Sequence, residues 1–180
     1  MPAFSRIGMV ARWKPVHKGH LPVLRALCQE SEHALIGIGS SNRYNLRNPF
    51  TLAETTDMLH LALKGFENYT LIPVPDLDDG PRWRLMILDI FGRLDAFLTD
   101  NPYVAHLLEN DYRVIRPVGL IPLHERIRLD GTQVRHAMAC GEGWRELVPE
   151  CIASYIVENR LDTRFREEFG LATLAQTIFR

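Results

Sequence analysis

Two histidines, His17 and His20, stand three residues apart in "ARWKPVHKGHL", residues 11–21, with Gly19 between them and Arg12 upstream. Imidazoles at that spacing can ligate a metal, donate hydrogen bonds to an anion, or share one turn by coincidence. With seven His in 180 residues, the pair alone does not choose among these. Zinc requires a third protein ligand and, for hydrolysis, a general base. The chain has no H-E-x-x-H arrangement, and no Cys or further His lies close by in sequence. A phosphate requires donors and positive potential, and both gather where a strand hands over to a helix. Gly19 carries no Cβ to keep a ligand from the backbone, and Arg12 adds a planar fork of donors. Context therefore favours phosphate.

The elements that must hold these residues alternate. "RIGMVA" (Arg6 to Ala11), "ALIGIG" (Ala34 to Gly39), "YTLIPV" (Tyr69 to Val74), "DAFLTD" (Asp95 to Asp100) and "YRVIRPV" (Tyr112 to Val118) read as five short apolar strands. Between them, "LPVLRALCQE", "TLAETTDMLHLALKG", "WRLMILDIF" and "NPYVAHLLEN" have helical spacing, as do "GTQVRHAMAC" and "VPECIASYIVENR" after the last strand. Thr51 and Glu54 fit a capping box. Strands without polar alternation, each followed by a helix, predict a parallel sheet buried on both faces. The expected fold is α/β: one Rossmann-like, doubly wound, five-stranded parallel sheet with a helical C-terminal tail. Residues 1–156 would form the core and 157–180 the tail, read as two short amphipathic helices around Gly170. Ligands of such sheets sit beyond the carboxyl ends of the strands. The His pair, Gly39-Ser40 and Asn101-Pro102 all fall there.

Bulk composition narrows the partners. Apolar residues are 46% and charged residues 24%, with a formal net charge of -1, so neither nucleic acid nor an anionic membrane is expected. Cys28, Cys140 and Cys151 form no framework, which suits a reducing cytoplasm. No signal peptide or membrane span is evident.

Resemblance sharpens the reading. "GMVARWKPVHKGHLPVL" resembles the first signature of the nucleotidylyltransferase superfamily, whose H-x-G-H motif holds nucleoside triphosphate phosphates. "IGIGSSNRYNLRNPFTLAE", "TDNPYVAHLLENDYRVIRP" and "GTQVRHAMACGEGWRELVP" are similar to stretches of the archaeal-type nicotinamide mononucleotide (NMN) adenylyltransferases. The similarity runs from about Arg6 to about Ile156. It implies transfer of the adenylyl group of ATP to NMN, forming NAD and pyrophosphate, with Mg2+ bridging the phosphates. His17, His20, Arg12 and Arg135 would be catalytic. Gly19, Gly39, Ser40 and Thr132, again with Arg135, would bind ATP. No dedicated metal ligands are expected. A nicotinamide ring is an aromatic cation that the Trp83 indole would attract, while Asn101 would read its carboxamide. A core Trp and a helix cap are the alternatives at these two positions. The family's members are often trimers or hexamers, so a homo-oligomer is implied.

Two departures stand out. The family's late motif usually reads serine-glycine-threonine, whereas here Asp130 precedes Gly131 and Thr132. The family commonly carries arginine after the glutamate that corresponds to Glu54, whereas here Thr55 follows. These leave open a different phosphorylated acceptor, a CTP donor, or a nucleotide-binding module without turnover.

Overall fold

The computed structural model describes residues 2–178. Its centre is a parallel sheet of β1 (Phe4–Ala11), β2 (Ser31–Gly39), β3 (Tyr69–Val74), β4 (Ala96–Leu98) and β5 (Val114–Ile115), in the order β3-β2-β1-β4-β5. Helices α1 (Leu21–Glu30), α2 (Leu52–Ala62), α3 (Gly80–Phe91), α4 (Pro102–Leu108), α5 (Gly131–Cys140) and α6 (Glu150–Glu158) surround it. The five-stranded Rossmann-like expectation is met.

Side chains of a strand point alternately to either face. Ile7 of β1, with Ala34, Ile36 and Ile38 of β2 and Ala96 and Leu98 of β4, joins Leu24, Leu27, Met58, Leu59, Val134 and Ile152 in one core. Leu35, Val74 and Phe97 turn the other way, onto Ile87 and Phe91 of α3 and Leu108 of α4. Both faces are thus dry, and that is why the strands read as continuous apolar runs. The order reverses at β1, which pairs with β2 on one side and β4 on the other. A crevice opens at such a reversal, and the His pair follows β1 directly.

Three local expectations change. The fifth strand shrinks to Val114–Ile115, because Pro117 lacks an N–H and begins a 3-10 turn, Pro117–Leu120. Tyr112 stacks on Phe97 and donates its hydroxyl to Gly92 O at 2.7 Å instead of extending the ladder. Helix α3 starts at Gly80, before Trp83, because Asp79 caps it by accepting from Arg82 N at 2.9 Å. The tail is one helical run rather than two helices. Helix α7 (Leu161–Phe165) passes through a π-helical turn, Arg166–Gly170, into α8 (Leu171–Ile178). Gly170 is buried and stays helical, since packing along the run outweighs glycine's modest helix penalty. Phe179 and Arg180, the end of the expected tail, lie outside the described residues.

Candidate active site

The turn after β1 is held from below. Trp13, 1% exposed with φ 55, donates from Nε1 to Gly37 O at 2.9 Å. A bulky residue at positive φ is strained backbone, which persists where surrounding structure enforces it. The Trp13 indole meets the His20 ring edge-on at 4.8 Å. Lys18 N donates to Leu147 O at 2.9 Å and His20 N to His17 O at 2.8 Å, which closes the turn before α1.

Within it the two imidazoles lie face to face, centroids 3.5 Å apart and planes 22° from parallel. The pair sits in the turn before Leu21 rather than within a helix. His20 Nδ1 accepts from His17 N at 3.3 Å, which leaves the His20 proton on Nε2. His17 Nδ1 is buried without a protein partner. Burial pushes the His17 ring down to about 4, with Arg135 adding to the effect and Asp130 opposing it. Burial, then the neighbouring His17, holds His20 well below its ordinary value. Both rings are therefore neutral at pH 7. At Gly19, a Cβ would stand 2.8 Å from Leu129 O and 3.1 Å from the His17 ring. The glycine makes room for the protein's own backbone and for His17, a different reason from close approach by a ligand.

Across from this turn, Asp130 caps α5. Its Oδ1 accepts from Thr132 N at 2.7 Å and Gln133 N at 3.0 Å, and Asp130 N donates in return to Gln133 Oε1 at 2.9 Å. The carboxylate thus occupies two amides that a ligand would otherwise find at this helix start. Arg135 donates from Nη1 to Lys14 O at 3.1 Å and from Nη2 to Thr132 Oγ1 at 3.4 Å. Burial lowers Arg135 to about 10; Arg12 and Arg47 push the same way and Asp130 opposes. Sequence reasoning missed Arg47. Its electrostatic bearing on Arg135 arises only when the loop between β2 and α2 folds back, and no spacing announces it.

Two cavities meet here, of about 710 and 350 Å³. His20, Asp130 and Gly131 line both. Arg12, Gly39, Ser40, Trp83, Asn101, Thr132 and Arg135 line the larger, while His17 and Gly19 line the smaller. The candidate site residues from the sequence therefore line two adjoining cavities that share residues, and Gly39 and Ser40 stand with Trp83 rather than with His17 and Gly19. Trp83 is half-buried in the first turn of α3, packed against the second core. Asn101 Oδ1 caps α4, accepting from Tyr103 N at 2.9 Å.

Bonds from the loop after β2 hold two acids that line the larger cavity. Asn42 Nδ2 donates to Asp76 O at 2.9 Å and Asp76 N donates to Asn42 Oδ1 at 2.8 Å, while Arg43 pairs with Asp78. Among the described residues no group of three His, Cys, Asp or Glu could hold a metal ion. The nearest carboxylate to the His pair's charge field is Asp130, already half used as a cap.

Fold and site together define a cytidylyltransferase-like protein, and the family model of that description matches residues 10–137. A nicotinamide-nucleotide adenylyltransferase of Thermococcus kodakarensis is 37% identical over 155 residues, covering 83% of this chain and 80% of that protein. One of Methanococcus vannielii is 35% identical over 156 residues, covering 85% and 88%. The chain belongs to the nicotinamide-nucleotide adenylyltransferase family. The fold is shared with a Francisella tularensis bifunctional NMN adenylyltransferase/ADP ribose pyrophosphatase. The TM-score is 0.76 at 15% identity, and the match covers 98% of this chain and 56% of the larger one. The same bifunctional protein complexed with AMP and a Mn ion matches at 0.71.

Proposed function

We propose that this chain transfers the adenylyl group of ATP to the 5'-phosphate of nicotinamide mononucleotide. An oxygen of the acceptor phosphate attacks the α-phosphorus, a new P–O bond forms, the bond to the β-phosphate oxygen breaks, and pyrophosphate leaves. The observation that carries this reading is the junction of two cavities at His20, Asp130 and Gly131. Nucleotides held in the two cavities would bring their phosphates to these shared residues. Adenosine takes the smaller cavity and the pyridine nucleotide the larger, against Trp83.

A phosphomonoester has its second pKa near 6, so the acceptor is already largely a dianion at neutral pH and no base is needed. Catalysis then rests on alignment and on charge stabilisation. His17 and His20, neutral, donate to phosphate oxygens. Arg12, Arg47 and Arg135 supply the positive charge. Bound with ATP, a divalent ion such as Mg2+ would supply charge neutralisation at the phosphate oxygens. Such an ion needs few protein ligands, and Asp130, which lines both cavities, is the carboxylate of this chain that would stand nearest the shared lining.

The test is pyrophosphate release with ATP or CTP against a panel of phosphorylated acceptors, followed by His20→Ala. ATP with NMN should be preferred, and His20→Ala should lower kcat by about a hundredfold or more with the fold intact. Wild-type rates in the variant would overturn the assigned role. Nucleotide binding without pyrophosphate release would favour a non-catalytic module.

A further inference from the structure

Lys14 has no part in the chemistry described so far, yet it is among the least exposed charged residues of the fold. It is 2% exposed and lines the larger cavity. Its Nζ donates to Ser40 O at 2.9 Å. That uses one of three ammonium protons, and no carboxylate of the described residues stands within ion-pair distance. Buried ammonium groups are normally matched by hydrogen bonds or a counter-charge, because desolvation is costly. Here the protein supplies one neutral carbonyl. Placement narrows the anion that could complete the match. Lys14 shares the larger cavity with Ser40, Asp76 and Trp83, and is absent from the smaller one that holds His17 and Gly19.

We propose that the Lys14 ammonium binds a non-bridging oxygen of the acceptor's 5'-phosphate, making Lys14 the residue that selects a phosphorylated acceptor over its nucleoside. The inference rests on the adenylyltransferase reading above and adds to it a residue for the acceptor phosphate. Lysine suits this task as a compact point charge. Oriented by Ser40 O, its remaining protons serve one oxygen cluster.

The electrostatic surroundings make the role pH-dependent. Burial pushes Lys14 down from 10.5 to about 8; Asp76 opposes this and Arg12 adds to it. The same cavity is also lined by Asp78, which pairs with Arg43, by Asp79 and Asp130, which cap α3 and α5, and by Arg135, whose guanidinium holds the Lys14 carbonyl. His20 lines the same cavity and is neutral. The acceptor phosphate stays dianionic through this range, so its own titration does not interfere.

The experiment measures KM for NMN and the inhibition constant of nicotinamide riboside, which lacks the phosphate. It uses full-length wild type, Lys14→Met and Lys14→Arg. Lys14→Met should raise KM for NMN about tenfold to a hundredfold while riboside inhibition stays within about twofold. Lys14→Arg should restore part of the loss. Wild-type kcat/KM for NMN should fall as pH rises through about 8, whereas Lys14→Arg should stay flat. Unchanged KM in Lys14→Met, or equal weakening of NMN and riboside, would overturn the proposal in favour of a tether for Ser40. Should Lys14→Met fail to fold, Lys14→Arg and the wild-type pH profile decide. A wild type without pyrophosphate release from ATP and NMN would instead remove the functional reading itself.

Discussion

Arg135 reaches across 121 residues of sequence to donate from Nη1 to the carbonyl of Lys14 at 3.1 Å. That bond joins the turn after β1 to α5. It also spaces the cations. Arg12 and Arg47 bear on the same guanidinium, and Asp130 tempers them. A cluster of like charges in a cleft concentrates field lines on an anionic ligand. The arrangement suits a polyanion and is costly without one.

The buried imidazoles make stability depend on pH. His17 takes up a proton near 6.5 when unfolded and only near 4 when folded. Between those values the unfolded chain holds the extra proton, so the unfolding free energy rises with pH across that window. One such group contributes up to about 1.4 kcal/mol per pH unit. Above about 6.5 the contribution is complete. Urea unfolding from pH 4.5 to 7.5 should show this rise, and His17→Asn should flatten it. An unaltered slope in the variant would assign the effect to other groups.

Asp130 stands where the two cavities meet and its charge opposes a polyanion. Asp130→Ser keeps an N-cap oxygen and removes the carboxylate. Stability should change by less than about 0.5 kcal/mol, and KM for ATP should fall about two- to fivefold. Asp130→Ala loses the cap as well, costing about 1 kcal/mol, or about 2–4 °C in Tm. A rise in KM for ATP in Asp130→Ser would mean that the carboxylate assists binding.

Trp83 offers its indole to the larger cavity from the first turn of α3. Replacing Trp83 by Ala should raise KM for the pyridine nucleotide by about tenfold, with KM for ATP nearly constant. Trp83→Phe should recover most of this. Equal changes in both KM values would reduce Trp83 to a packing residue.

Arg164 ties the tail to α2. Nη1 and Nη2 donate to Glu54 at 2.6 and 2.8 Å, and Nη2 also donates to Pro49 O at 3.1 Å. Its Cζ sits 5.7 Å from the centroid of the Tyr44 ring. Burial alone would raise the Glu54 carboxyl, but the bonds from Arg164 and from Thr51 outweigh it and leave it lowered. A carboxyl lowered by folding stabilises above its ordinary value of 4.5 and loses that contribution as pH falls. The pair is partly exposed, so breaking it costs about 2 kcal/mol rather than the larger figure for a fully buried one. Arg164→Met should lower Tm by about 4–8 °C at pH 7. The gap to wild type should close below about pH 4.5. A gap independent of pH would point to lost packing.

Much of the site was legible because its residues carry local signals. His17, Gly19 and His20 fall within one turn, and Thr51 with Glu54 announces a capping box that the structure contains. Asp130 caps α5 as its position beside Gly131 suggested. Thr55 was less legible. It is fully buried and its hydroxyl donates to Thr51 O at 2.8 Å, so its side chain faces the core. The cation at the start of α2 is Arg164, which is 110 residues away from Glu54.

The sequence by itself determined the alternation of strand and helix, the parallel sheet and the turn that carries His17, Gly19 and His20. Those depend on periodicity, caps and glycine, all of which act over a few residues. Only the tertiary structure decided that Arg47 joins Arg12 in bearing on Arg135, that Gly39 and Ser40 side with Trp83, and that Gly170 bends no helix. It also decided that Lys14 is buried against Ser40. Burial, field and shared cavities arise between segments distant in the chain, and no local pattern encodes them.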